Sequence, residues 1–172
     1  MNIKVMISEE ELSKRIAELG AEISKDYEGK TVHLICILKG SVFFTCELAK
    51  HIVPTVTMDF MSVSSYGNAQ ESTGRVRIVK DLDEHIEDKD VLVIEDIIDS
   101  GRTLENLLDV LAVRKPKSIK LCTLLDKPDR RVTDVKVDYT GFVIPDEFVV
   151  GYGLDYSQTL RNLPYIGVVV EE

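Results

Sequence analysis

VLVIEDIIDSGRTLENLL, residues 91–108, sets four aliphatic residues in a row, then Glu95, Asp96 and Asp99 within five positions, then Ser100-Gly101-Arg102-Thr103 and a leucine-spaced run that continues to Leu111. The aliphatic run has the residue types of a buried strand, and Leu104, Leu107, Leu108 and Leu111 repeat at helical spacing, so the stretch reads as strand, acidic turn, helix. A strand apolar on both faces that passes directly into a helix belongs to a parallel sheet covered by helices.

The same unit recurs on either side. TVHLICIL (31–38) is a second doubly buried strand, Lys39-Gly40 breaks it, and SVFFTCELAKHI (41–52) has the spacing of a helix that ends before Pro54. Upstream, Ser8-Glu9-Glu10-Glu11 forms a capping box, and Leu12, Ile16, Leu19 and Ile23 carry a first helix toward Gly29. TVTMDFMSVS (55–64) and RVRIVKDL (75–82) lean toward strand alternation around a polar, glycine-bearing loop, and SIKLCTLL (118–125) is a further strand after Pro116. From 139 to 170, YTGFVI, FVVGYG and IGVVV are separated by turns without a clear helix. The expected architecture is α/β, a mainly parallel twisted sheet flanked by helices in a single domain over 1–172. A small hood is expected largely from about 139–172, with the N-terminus open as a second contributor.

Composition bounds the function. With 172 residues, 44% hydrophobic and 30% charged, the chain can bury a real core and offers no low-complexity tract or repeat. No apolar run has the length of a signal peptide or a membrane span, which points to the cytoplasm and away from membranes. Cys36, Cys46 and Cys122 lack CxxC spacing and read as buried thiols; His33, His51 and His85 are scattered and take no role. A net charge of −9 argues against nucleic-acid binding, which draws its affinity from basic surface.

Ligands of parallel sheets sit beyond the carboxyl ends of the strands, where Glu95, Asp96 and the following turn fall. The start of the next helix offers unpaired N–H groups and a favourable dipole, Gly101 permits close approach, and Ser100 and Thr103 add hydroxyls, so a phosphate monoester fits. Carboxylates repel phosphate. Glu95 and Asp96 therefore suit neutral hydroxyls such as those of a ribose, or a Mg²⁺ ion carried by the substrate. Taken alone, the same acids equally suit a solvated turn and a helix cap. A P-loop NTPase would need GxxxxGK[ST], which is absent, and a receiver domain would need more conventional α/β chain after residue 95.

Together with ILKGS (37–41), SSYGNAQESTG (64–74), LLDKPDRR (124–131) and PDEFVVGYGLDYSQTLRNLPYIG (145–167), the run VLVIEDIIDSGRTL resembles the phosphoribosyl-pyrophosphate signature of the purine phosphoribosyltransferases, in their hypoxanthine-guanine branch. The resemblance covers nearly the whole chain. It implies Mg²⁺-dependent transfer of a 5-phosphoribosyl group to a 6-oxopurine, by a homodimer or homotetramer. It implies that Glu95 and Asp96 hold the ribose hydroxyls in part through Mg²⁺, that Asp99 is the general base, and that Ser100, Gly101, Arg102 and Thr103 hold the 5′-phosphate. Lys39 and Gly40 match the pyrophosphate loop with its non-proline cis peptide, and Arg161 a cation near the pyrophosphate. Ser65 and Tyr66 match the start of a lid. Lys127 matches the contact to the purine 6-oxo group, Phe148 the stacking ring, Val149 the backbone along the base edge, and Asp155 a residue at the purine end that ligates a second Mg²⁺. Two rivals stand beside this. A regulatory protein that binds RNA or DNA lacks a basic face here, and a purely structural subunit leaves the carboxylates unexplained.

Overall fold

The computed structural model describes residues 1–65 and 75–171, and among them nine strands and three α-helices follow one another. They are β1 (Asn2–Ile7), α1 (Glu9–Asp26), β2 (Thr31–Ile37), α2 (Val42–Lys50), β3 (Thr55–Ser65), β4 (Val76–Lys80), β5 (Asp90–Ile98), α3 (Arg102–Ala112), β6 (Ser118–Asp126), β7 (Tyr139–Val143), β8 (Val149–Val150) and β9 (Ile166–Val170). Six strands form one sheet in the order β4-β3-β2-β5-β6-β7, parallel throughout except for β4, which runs antiparallel to β3. This is the α/β class expected from the sequence.

Alternation along the central strands explains their continuous apolar runs. Leu34, Leu92, Ile94 and Leu124 face one side, where they join Ile16, Leu19 and Ile23 of α1 and Phe44 and Leu48 of α2. Ile35, Ile37, Val91, Val93 and Leu121 face the other, against Leu104, Leu107 and Leu111 of α3. Each strand thus feeds two cores, and burying a side chain of this size contributes about 1.5–3 kcal/mol. The N-terminal cap forms: Ser8 Oγ accepts from the Glu11 N–H at 3.1 Å, and Glu9, Glu10 and Glu11 lie in the first turn of α1, where the helix dipole favours negative charge.

Three features differ from expectation, and a fourth concerns the N-terminus, which the sequence leaves open as a contributor to the hood. β5 runs past the aliphatic residues to Ile98, because Glu95, Ile97 and Ile98 keep their ladder with Thr123, Leu125 and Asp126 of β6. The N-terminal residues form β1, which pairs antiparallel with β9 (Asn2 opposite Val170, Val5 opposite Gly167) in a second sheet of order β1-β9-β8. The region from 139 onward divides between the two sheets: β7 joins β6 in the large sheet, and only β8 and β9 join β1. β7 is held there by α1. The buried Tyr139 hydroxyl donates to Asp26 at 2.6 Å, and Arg15 caps the open edge by donating to the carbonyls of Thr140 (2.7 Å) and Gly141 (2.9 Å). Finally, Cys36 and Cys122 are buried as expected, but Cys46 lies on the outer face of α2 and is exposed. Among the described residues, no helix is long and apolar enough to cross a membrane.

Candidate active site

The turn between β5 and α3 has its carbonyls committed elsewhere. Asp99 C=O accepts from Arg131 Nε at 3.2 Å, and Ser100 C=O accepts from the Val132 N–H at 3.0 Å and the Thr133 hydroxyl at 3.3 Å. In a trans peptide the N–H points opposite to the carbonyl, so the N–H groups of Ser100 and Gly101 are turned away from the 131–133 segment. Gly101 has φ +84°, and a Cβ there would lie 2.4 Å from Thr133 Oγ1, so backbone conformation and space both require glycine. The helix α3 then begins at Arg102 with its dipole positive toward the turn. A cavity of about 200 Å³ opens here, lined by Glu95, Asp99, Ser100, Gly101 and Thr103 among others. These are the parts of an anion cradle.

Beside it lie the two acids. The carboxylate of Glu95 accepts from the Asp96 N–H at 3.1 Å, and that of Asp96 from the Ile97 N–H at 2.7 Å. Burial, and then the negative charge of Asp96, push the Glu95 carboxyl well above the usual carboxylate range. Burial raises Asp96 as well, against the opposing pull of hydrogen bonds from its neighbours and of the Arg161 charge. The pair is short of positive charge. Its oxygen-only donors suit a hard divalent cation, and among the described residues no group of three or more His, Cys, Asp or Glu side chains converges to hold a metal unaided, so such an ion would need oxygens from a ligand.

Behind Asp96 the backbone is packed in layers. A Cβ on Gly40 would sit 1.7 Å from Asp96 Oδ2, and a Cβ on Gly153, at φ +103°, would sit 2.0 Å from the Gly40 carbonyl oxygen. The loop carrying Lys39 and Gly40, with a cis peptide between Leu38 and Lys39, is therefore wedged between the acid pair and the turn at 151–155. That turn is tied together by Arg161, which donates to Gly153 C=O at 2.7 Å and to Gln158 Oε1 at 3.1 Å and lies 3.4 Å from Asp155. Asp155 also accepts from the Gln158 N–H at 2.9 Å, and Lys39 Nζ donates to Gln158 Oε1 at 3.3 Å.

On the other side of the cradle, Lys127 follows β6, and its N–H donates to Ile98 C=O at 3.0 Å. Its ammonium is buried and stands 3.6 Å from Asp99 and 3.6 Å from Asp146. Phe148 is 55% exposed and packs against the edge of Tyr156, with centroids 5.9 Å apart at 85°. Val149 buries its side chain in the core and pairs with Val168, which leaves its backbone as the part a ligand could reach. Ser65 Oγ lies 3.0 Å from Thr103 Oγ1, so the end of β3 touches the cradle. Tyr66 and the rest of the expected lid lie outside the described residues.

The structure thus links most of the residues singled out from sequence, through direct contacts around the carboxyl ends of the central strands. Two neighbours were not foreseen. Arg131, ion-paired to Asp126, holds the backbone of Asp99, and Asp146 faces Lys127. The only sequence signals were an Arg-Arg pair after β6 and an Asp in a Pro-Asp-Glu turn two residues before Phe148.

The phosphoribosyl transferase domain family matches residues 7–157 of the chain. A hypoxanthine-guanine phosphoribosyltransferase of Bacillus subtilis (strain 168) is 55% identical over 166 residues, covering 96% of this chain and 92% of the relative. The "Bifunctional protein TilS/HprT" of Listeria monocytogenes serotype 4b (strain F2365) is also 55% identical, over 169 residues. There 98% of this chain corresponds to 26% of the relative, so the chain spans about a quarter of that longer protein. A crystal structure of a hypoxanthine-guanine phosphoribosyltransferase from Bacillus anthracis, with a HEPES molecule in its active site, superposes with a TM-score of 0.95 at 52% identity, covering 98% of this chain and 100% of the other.

Proposed function

The chain belongs to the phosphoribosyl transferase family, in its hypoxanthine-guanine branch, and on that premise we propose that it transfers the 5-phosphoribosyl group of phosphoribosyl pyrophosphate to hypoxanthine or guanine, giving the nucleoside monophosphate and pyrophosphate. The observation that carries this is the meeting, at the carboxyl ends of β5 and β6, of an anion cradle, a carboxylate pair short of positive charge, and a buried lysine beside a half-exposed aspartate.

The 5′-phosphate takes the N–H groups of the 100–103 turn and the Thr103 hydroxyl. Glu95 and Asp96 accept from the ribose hydroxyls. The 39–40 loop and Arg161 face the pyrophosphate, and Phe148 offers its ring to the purine while Lys127 donates to the 6-oxo oxygen. Breaking the bond from the anomeric carbon to pyrophosphate leaves an oxocarbenium-like sugar, and the purine ring nitrogen attacks it. Asp99 takes the proton that the purine sheds, a role typically worth about 10²–10⁴-fold in rate. The oxygen donors of Glu95 and Asp96, and separately of Asp155, fit Mg²⁺, which when bound with the substrate supplies charge neutralisation of the departing pyrophosphate. Uniting a free base with an activated ribose phosphate is purine salvage, placed in the cytoplasm and carried out by a homodimer or homotetramer.

Initial rates with phosphoribosyl pyrophosphate, Mg²⁺ and each of hypoxanthine, guanine, xanthine and adenine test the proposal. Rapid pyrophosphate release with hypoxanthine and guanine, and little with adenine, is expected. Equal rates with adenine, or no release with any base, would overturn it.

A further inference from the structure

Among the described residues, Lys127 is the only buried lysine, with 8% of its surface exposed. A buried ammonium is costly unless opposite charge answers it, and two carboxylates do so here at equal distance, Asp99 and Asp146, both at 3.6 Å. That distance is too long for a hydrogen bond to either, so the ammonium is shared between them. Asp146 is itself steadied: its second oxygen lies 3.4 Å from Arg130 Nη1, and it sits in the turn after β7 that leads to Phe148.

The consequence depends on the function proposed above, under which Asp99 must accept a proton and Lys127 must reach the purine's 6-oxo oxygen. Without Asp146, Asp99 would be the sole carboxylate within ion-pair range of the ammonium. The ammonium would close on it, cover the oxygen that takes the proton, and retreat from the purine. We propose that Asp146 is a positioning residue that holds Lys127 off Asp99, keeping the base free and the ammonium directed at the 6-oxo group.

A double-mutant cycle on the full chain tests this. Asp146→Asn should lower kcat/KM for hypoxanthine on the order of tenfold, with kcat sharing in the loss, while KM for phosphoribosyl pyrophosphate stays unchanged. Asp146→Glu should recover most of the activity. In a Lys127→Met background, Asp146→Asn should cost nothing further, an outcome that a merely structural role in the turn would not produce. An active wild type with an unaffected Asp146→Asn variant, or an equal loss in both backgrounds, overturns the inference alone. A wild type that transfers nothing to hypoxanthine removes the proposed function, and the inference falls with it.

Discussion

Gly40→Ala should injure the site without unfolding the protein. The new methyl group would start 1.7 Å from Asp96 Oδ2 and 2.7 Å from its Cγ, and real Cβ contacts essentially never fall below 3.0 Å. The oxygen must therefore move by about 1.3 Å, and a displacement of about 1 Å in a reacting site costs on the order of 10²-fold in rate. Gly40 does not have the positive φ that Gly101 and Gly153 have, so alanine meets no backbone penalty of that kind. The obstructing atoms also belong to the end of a side chain. Stability should fall by only about 1 kcal/mol, the low end for overpacking, or roughly 2–4 °C in Tm for a chain of this size. Steady-state kcat/KM for phosphoribosyl pyrophosphate, with Mg²⁺ saturating, is the main readout, and thermal melting is the second. Gly29→Ala serves as control: its Cβ would meet nothing within 4 Å, so it pays only for its φ of +76°, about 1–2 kcal/mol, far from the acid pair. Wild-type kcat/KM in Gly40→Ala would refute the placement of Asp96 as a sugar contact. So would an equal loss in the control.

Three other perturbations have definite signs. Because Glu95 is raised in the folded chain, its favourable contribution is fully present below the ordinary glutamate range and is lost as pH rises through the higher folded value. Without Mg²⁺, Glu95→Gln should therefore be the more stable form near neutral pH and show a flatter melting profile, and parallel profiles would contradict the shift. Asp99→Ala should reduce turnover by about 10²–10⁴-fold with little change in calorimetric affinity for phosphoribosyl pyrophosphate; unchanged turnover would remove Asp99 from proton transfer. Lys127→Met should slow hypoxanthine and guanine sharply and adenine much less, since an ammonium can pair with a 6-oxo acceptor but not with a 6-amino donor. A uniform loss across all purines would end that assignment.

The parallel sheet was legible because each central strand carries apolar residues to both faces, and the cradle was legible because a glycine and hydroxyl residues stand between a strand and a leucine-spaced helix. What escaped was set by distant pairing. NIKVMI sets β-branched Ile3, Val5 and Ile7 at alternate positions, but a run this short does not name its partner, which begins only at Ile166, and β7 joins the large sheet through contacts with Arg15 and Asp26 on a helix more than a hundred residues away. The end of β5 was misjudged for a related reason: Glu95 interrupts the apolar run, but the ladder to β6 holds the backbone extended beyond it. Asp146 was invisible for another. An acid in a proline-containing turn looks solvated until the fold brings a buried ammonium to it.

The antiparallel pairing of β1 with β9 sets how the molecule responds to force. With Asn2 opposite Val170, tension applied to the two ends of the chain would load the rungs one at a time, from the outermost inward, and peel the small sheet as a zipper opens. The parallel strands of the large sheet, reached later, share a pull along their length across many hydrogen bonds at once. A protein carrying this domain within a longer chain would therefore feel tension from its neighbours first in β1 and β9. β8, hydrogen-bonded to β9 and directly after Phe148, would be the next strand to lose its partner.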